Sequence, residues 1–272
     1  MTSLKGITLT VPKILFNSYH LSRKKYIYIS DNRYVVKLAE DLEEIDALLK
    51  LRFEVFNLEL HEGLDSSFLT LRDEDEFDEQ CNHLIVIEKA GRKVIGTYRL
   101  QTYEMSQQGK GFYSATEFNL DKLGRKVLRK SVELGRACIE KNHRNGRILF
   151  LLWKGIAQYM ILKQKRFLFG CCSITSQNPA EGKRFMDYMH VQGFLHDKIY
   201  VPPMQGYECY PPDYRFTGTV KEVVLPPLMD MYIRYGAKIC GPPAIDRDFK
   251  TIDYLILLDV EALDEEVRKN FF

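Results

Sequence analysis

The chain has 272 residues, 45% of them hydrophobic and 28% charged, with a formal net charge of +2. These proportions fit an ordinary globular protein with one large domain, or a domain with an extension, and exclude a disordered or fibrous chain. A charge this small, with no dense basic tract and no nucleic-acid motif, sets nucleic-acid binding aside.

Residues 1–33 carry six lysines and arginines against one acid, Asp31. Apolar residues such as Ile7, Leu15, Phe16 and Tyr28 are interleaved with them. The expectation is an irregular extension that packs its apolar residues on the domain; the alternative is a basic arm that touches an anionic membrane surface or an acidic partner. Tyr34 to Leu38 reads as a first strand. Leu42, Ile45, Leu49, Phe53 and Phe56 then recur at helical spacing, after acids that suit a helix N-terminus. Arg52 falls off that apolar stripe. Six of the seven residues from Asp73 to Glu79 are acidic. A solvated loop is the expectation there; the alternative is a site whose focused negative potential attracts a cationic amine.

His83–Glu88 and Val94–Tyr103, joined by Lys89-Ala90-Gly91-Arg92, read as a hairpin. Its second strand places Arg99 on the more polar face. Ser131–Glu140 is a further strand, interrupted by Gly135. After a polar turn, Arg147–Gln164 is too long and too continuously apolar for a strand and is expected to be helical. Arg166–Ile174 returns to strand. A strand–helix–strand of this length predicts two adjacent parallel strands. Asn178-Pro179-Ala180-Glu181 is a strong helix start, and that helix should run to about Val191. Ile199–Val201 reads as a short strand. Eight of the ten prolines then occur as four adjacent pairs, which predicts an ordered, extended insertion over about 202–250 around a helix at Pro227–Tyr235. Tyr254–Val260 is a last strand, followed by an acidic tail.

Polar chemistry is set into the central strand–helix–strand. Residues three apart in a strand face opposite ways, but a bulge at Gly135 would let Glu133 and Arg136 face one cavity. Arg144 and Arg147 flank the helix start, against the helix dipole. A bound phosphate would remove that conflict; two solvated surface arginines are the alternative. The six cysteines show no CxxC pairing, and no histidine spacing suits a metal. Buried free thiols are therefore expected, in a reducing compartment. No run approaches the roughly 18 apolar residues that span a bilayer, and no secretory signal is present. A cytoplasmic protein follows as the expectation. A serine nucleophile elbow and a Walker phosphate loop are both missing.

The order β-α-(acidic loop)-β-β-β-α-β-α-β with a long central helix resembles the GNAT acyltransferase fold: a mixed twisted sheet flanked by helices, here with a Pro-rich C-terminal insertion. The segments ELGRACIEKNHRNGRILFLLWKGIAQYM, FLFGCCSI, FYSATEFNL and LPPLMDMYIRYGAKICGPPAIDRDFKTIDYLILLDVEAL resemble the ornithine-lipid N-acyltransferases. These haemolysin-labelled GNAT relatives include glycine-lipid synthases. The likeness covers about Tyr34 to Leu263. It implies one acyltransferase domain over 34–272 behind a basic extension over 1–33. A wider resemblance is to acyl-homoserine lactone synthases, whose pattern falls on Arg52 and Phe56, Asp75 and Asp78, Arg99, then Glu133 and Arg136.

The resemblance implies transfer of a long, 3-hydroxylated acyl chain from acyl carrier protein to the α-amine of ornithine or glycine, the first step toward an aminolipid; the alternatives are a signal synthase of the acyl-homoserine lactone kind and a non-catalytic GNAT-like binding module. No tightly bound cofactor and no metal are expected. The co-substrate would be an acyl-phosphopantetheine thioester, on acyl carrier protein rather than coenzyme A. Acetyl-CoA-dependent relatives carry Arg/Gln-x-x-Gly-x-Gly/Ala at the central helix start, and Arg144-Asn145-Gly146-Arg147-Ile148-Leu149 departs from it. Arg144, Gly146 and Arg147 would instead meet the single phosphate of the pantetheine arm. Glu133 is the expected base, with Arg136 and Arg99 holding the acceptor's carboxylate or orienting Glu133. Arg52, Phe56, Asp75, Asp78, Cys172 and Ser173 would bind substrate, and Trp153 would line the acyl tunnel or pack in the core. Peripheral contact with the inner membrane face is expected of such an enzyme.

Overall fold

A computed structural model describes residues 27–218 and 223–272. Its frame is one mixed, open sheet of nine strands among the described residues. In chain order these are β1 (Tyr28–Ser30), β2 (Tyr34–Leu38), β3 (Asn82–Glu88), β4 (Lys93–Thr102), β5 (Ser131–Ile139), β6 (Phe167–Ile174), β7 (Lys238–Ile239), β8 (Ala244–Asp246) and β9 (Thr251–Asp259). They lie in the order β1-β2-β3-β4-β5-β6-β9-β7, with β8 also on β9. Every pairing is antiparallel except β5 with β6, the two strands joined by the long helix.

The helices are α1 (Leu42–Phe53), α2 (Ser67–Thr70), α3 (Tyr103–Gln108), α4 (Arg125–Arg129), α5 (Arg147–Lys163), α6 (Pro179–Val191), α7 (Pro227–Arg234) and α8 (Glu265–Phe271). Helix α1 begins where Asp41 accepts the amide of Glu44, and α6 where Asn178 accepts that of Ala180. Both are side-chain caps that satisfy otherwise unpaired helix amides.

Strand alternation divides the interior. Leu84, Val86, Tyr98, Leu100, Val132 and Leu134 pack with Ile148, Leu152 and Ile156 of α5. Ile85, Val94 and Cys138 face the other way, onto Leu48, Leu49 and Val55 of α1 and the turn after it. Each fully buried side chain of this size is worth roughly 1.5–3 kcal/mol. Along the α1 side runs a row of polar residues, and the functional chemistry sits there.

Two expectations need correction. Tyr28–Ser30 pairs with β2, so the end of the supposed extension is part of the sheet; the basic arm up to residue 26 lies outside the described residues. Ile199–Val201 is not a strand: Val201 is buried and its amide bonds to Cys240 in an irregular segment. The C-terminal tail folds as α8, with Phe271 packed against Trp153. The proline-rich region is ordered where described, with α7 at its expected place, and it supplies β7 and β8 to the sheet.

Candidate active site

The site forms where β5 leaves its neighbours. On the β4 side, Thr97 pairs with Cys138 but Arg99 pairs with Gly135, so β5 carries one extra residue between them. The bulge falls one position later than expected, and Arg136 takes the left-handed backbone, with φ +44°. A non-glycine residue there is uncommon and is held by its surroundings. On the other side β5 pairs with β6 at only three positions, from Ser131 with Phe167 to Glu133 with Phe169. Beyond that point the strands diverge around a narrow gap lined by Leu134, Gly170, Cys171, Tyr232 and Ile256, among others. Gly170 permits the closest approach, because a Cβ there would lie 2.2 Å from the carbonyl oxygen of Leu134.

Glu133 stands at the point of divergence, 5% exposed. Its carboxylate accepts the amides of Tyr113 (3.0 Å) and Ser114 (2.7 Å). Burial raises its pKa above the ordinary glutamate value despite these donors, which makes it a better base once ionised. Arg136 reaches the same turn from the other side, its guanidinium 4.9 Å from the Tyr113 ring and 4.2 Å from that of Phe249. Phe249 in turn meets Phe56 edge to face.

The acidic run is not a solvated loop. Arg52, 1% exposed, bonds Asp73 through Nε at 2.7 Å and Asp78 through both terminal nitrogens at 2.7 and 3.1 Å. Arg99 bonds Asp75 and Asp78, and Arg136 bonds Asp75 at 3.0 Å. Three arginines thus match three aspartates. Burial works against the Asp78 carboxylate, but Arg52 and Arg99 outweigh it and hold the group well below the usual range. The cluster pairs each aspartate with an arginine. It leaves Arg99 Nη2 and Asp73 Oδ2 buried without a hydrogen-bond partner, the former beside Gly135.

A second acidic cluster escaped the sequence reading. Glu117, Cys171 and Asp253 place one donor atom each within 4.8 Å of one another, a set that could hold a metal ion. Glu117 and Asp253 are 1% and 3% exposed. Burial, then the charge of Asp253, pushes Glu117 well above the usual carboxyl range, and burial raises Asp253. The one hint in sequence is period two: Cys171 and Ser173 share a face of β6, and Ser173 pairs with Asp253 of β9. Cys172, expected at the site, points into the α5 core instead. Trp153 is likewise core, edge-on to Tyr232 and Tyr235.

The expected phosphate site is partnered within the chain. Arg144 bonds Glu59 through both terminal nitrogens, at 2.6 and 2.7 Å, and Arg147 bonds Asp31 at 2.6 Å. Carboxylates therefore relieve the conflict with the helix dipole. Gly146 takes the left-handed conformation (φ 77°) that turns the chain into α5. A surface cleft of about 610 Å³ lies elsewhere, between α3, α4 and the end of α5, and involves none of these residues. Among the described residues no helix is long and apolar enough to cross a membrane.

The site therefore joins Arg52, Phe56, Asp75, Asp78, Arg99, Glu133 and Arg136 in one region, with Ser173 at its edge; it leaves Cys172 and Trp153 in the core and Arg144 and Arg147 at the surface. Residues 51–154 match the model of the acetyltransferase (GNAT) domain. An L-ornithine N(alpha)-acyltransferase of Brucella abortus is 32% identical over 84% of this chain and 85% of its own length. One from Rhizobium meliloti is 30% identical over 82% and 79%. A crystal structure of the AHL synthase LasI aligns with a TM-score of 0.49 at 13% identity, over 88% of this chain and 94% of that one. By its GNAT domain and by identity sustained along most of its length, the chain is an acyltransferase that belongs to the L-ornithine N(alpha)-acyltransferase family.

Proposed function

We propose that this enzyme transfers a long 3-hydroxyacyl chain from the phosphopantetheine thioester of acyl carrier protein to the α-amine of ornithine. The product would be the single-chain precursor of an aminolipid, made in the cytoplasm with peripheral contact at the inner membrane face. The observation that carries the reading is Glu133, buried at the mouth of the β5–β6 divergence with its basicity raised. The thioester would enter between the strands and present its carbonyl carbon to an amine held about 3–3.5 Å away.

Glu133, directly or through one water, takes a proton from the ammonium so that the neutral amine attacks. Glu133 passes that first proton to solvent; the C–N bond forms, the nitrogen loses a second proton to Glu133, the C–S bond breaks, and this second proton passes to the departing thiolate. General-base assistance of this kind contributes roughly 10²–10⁴ in rate. Arg99 and Arg136 would hold the acceptor carboxylate, which explains a buried Arg99 nitrogen without a partner. An amide at the β5 bulge would polarise the thioester oxygen. Arg144, Gly146 and Arg147 would meet the pantetheine phosphate by exchanging their internal carboxylates for it. The names of the relatives favour ornithine over glycine as acceptor.

Release of carrier thiol tests the reading. Purified enzyme is given 3-hydroxyacyl carrier protein or the matching acyl-CoA, with ornithine, glycine or no amine. Ornithine-dependent release, faster from the carrier, is expected. No release with any amine would refute the acyltransferase assignment, and equal rates from both donors would refute the carrier preference.

A further inference from the structure

The acceptor's α-amine and carboxylate account for Glu133 and the arginines but leave the second acidic cluster without a task. We propose that Glu117 and Asp253 form the subsite for a side-chain ammonium of the acceptor, and so make the enzyme selective for a diamino acid. This rests on the acyl-transfer reading above and adds the basis of its specificity.

The geometry carries the assignment. Among the described residues, neither carboxyl forms an ion pair, although both are almost completely buried. Glu117 Oε1 and Asp253 Oδ1 have no hydrogen-bond partner, although the Ser173 and Thr251 hydroxyls lie beside Asp253. Orphaned buried acceptors are costly and call for a donor. An ammonium offers three donors and no acceptor, which suits a group of acceptors.

Position agrees. The Tyr113–Ser114 turn links the two parts of the site. Its amides bind Glu133, while the Ser114 hydroxyl lies 3.4 Å from Cys171 Sγ and Tyr113 bonds Asp246 through its hydroxyl. Cys171 Sγ then lies 3.8 Å from Glu117. Cys171, Tyr113 and Ser173, which lie beside the pair, are only half-buried. An amino acid whose α-amine faces Glu133 could thus extend its side chain past this turn to the acids. Two neighbouring buried carboxyls resist double ionisation, so the pair retains about one proton and one negative charge, matching one ammonium.

The experiment compares kcat/KM for ornithine with that for 2-aminopentanoate, the same carbon chain without the second amine. Wild-type enzyme should favour ornithine by roughly 10⁴–10⁵, as expected where a site built to hydrogen-bond a group meets an analogue lacking it. Glu117→Gln and Asp253→Asn should bring the ratio toward one. Glu117→Asp, the gentler change, withdraws the carboxyl by one methylene and should move the preference from ornithine toward lysine. Acylation of both substrates at equal rates by the wild type would overturn the subsite while leaving acyl transfer intact. Acylation of neither would instead overturn the proposed function. An unchanged ratio in the variants would also overturn the subsite, as would stoichiometric zinc in the purified protein that Glu117→Gln loses.

Discussion

Two buried acidic clusters lie on the same side of the sheet, and they differ in one respect. Asp73, Asp75 and Asp78 face Arg52, Arg99 and Arg136 across distances of 2.5–3.4 Å. Glu117 and Asp253 face each other and a neutral thiol. The first cluster is compensated within the protein and holds its arginines still. The second lacks a counter-charge among the described residues. Burial alone therefore does not mark a ligand site; the difference is whether the protein supplies the partner.

Breaking the compensated cluster should have the largest effect. Asp78→Asn leaves Arg52 and Arg99 short of a counter-charge in the interior, and denaturant unfolding should show a loss of about 3–5 kcal/mol. Between the clusters, Glu133→Gln keeps the shape but removes the base. Acyl transfer should slow by roughly 10²–10⁴, with a smaller cost in folding, about 1–3 kcal/mol, because one of the two amides it binds loses its acceptor. Unchanged turnover would remove Glu133 from the mechanism.

The clusters should also respond oppositely to pH. The folded pKa of Asp78 is depressed, so its stabilisation is present above the unfolded value near pH ~4 and is lost as pH falls below it. Glu117 has a raised folded pKa, so its favourable contribution is present below about pH 4 and fades as pH rises toward the folded value. Unfolding free energies should therefore decline as pH rises from about 5 toward the folded value, by at most about 1.4 kcal/mol for each step of one in pH. Glu117→Gln should flatten this decline and leave the acid limb alone. The smallest effect belongs to Arg147, whose exposed pair with Asp31 is screened by water. Arg147→Gln should leave the denaturation midpoint unmoved while Arg52→Gln lowers it, since only the second removes a buried charge.

Much of the frame was legible before the structure. Helix α5 and strands β5 and β6 were expected within one or two residues of their observed ends, because long apolar runs and β-branched segments report local preference directly. Glu133 and Arg136 could be paired through the Gly135 interruption, although the bulge itself fell on Arg136. The acidic run misled. Six acids in sequence read as solvent-exposed, and nothing local announces that Arg52, Arg99 and Arg136 will meet them from three other elements.

The sequence by itself determined the element order, the parallel β5–β6 pair and the acyltransferase family, because these rest on periodicity and on matched segments within single stretches of chain. Only the tertiary structure decided which charges are compensated. Glu117 lies 54 residues before Cys171, and Asp253 comes from the last strand of the sheet. Whether a buried carboxyl has a counter-charge depends on neighbours brought in by folding, and electrostatic energy depends on distance in space rather than along the chain.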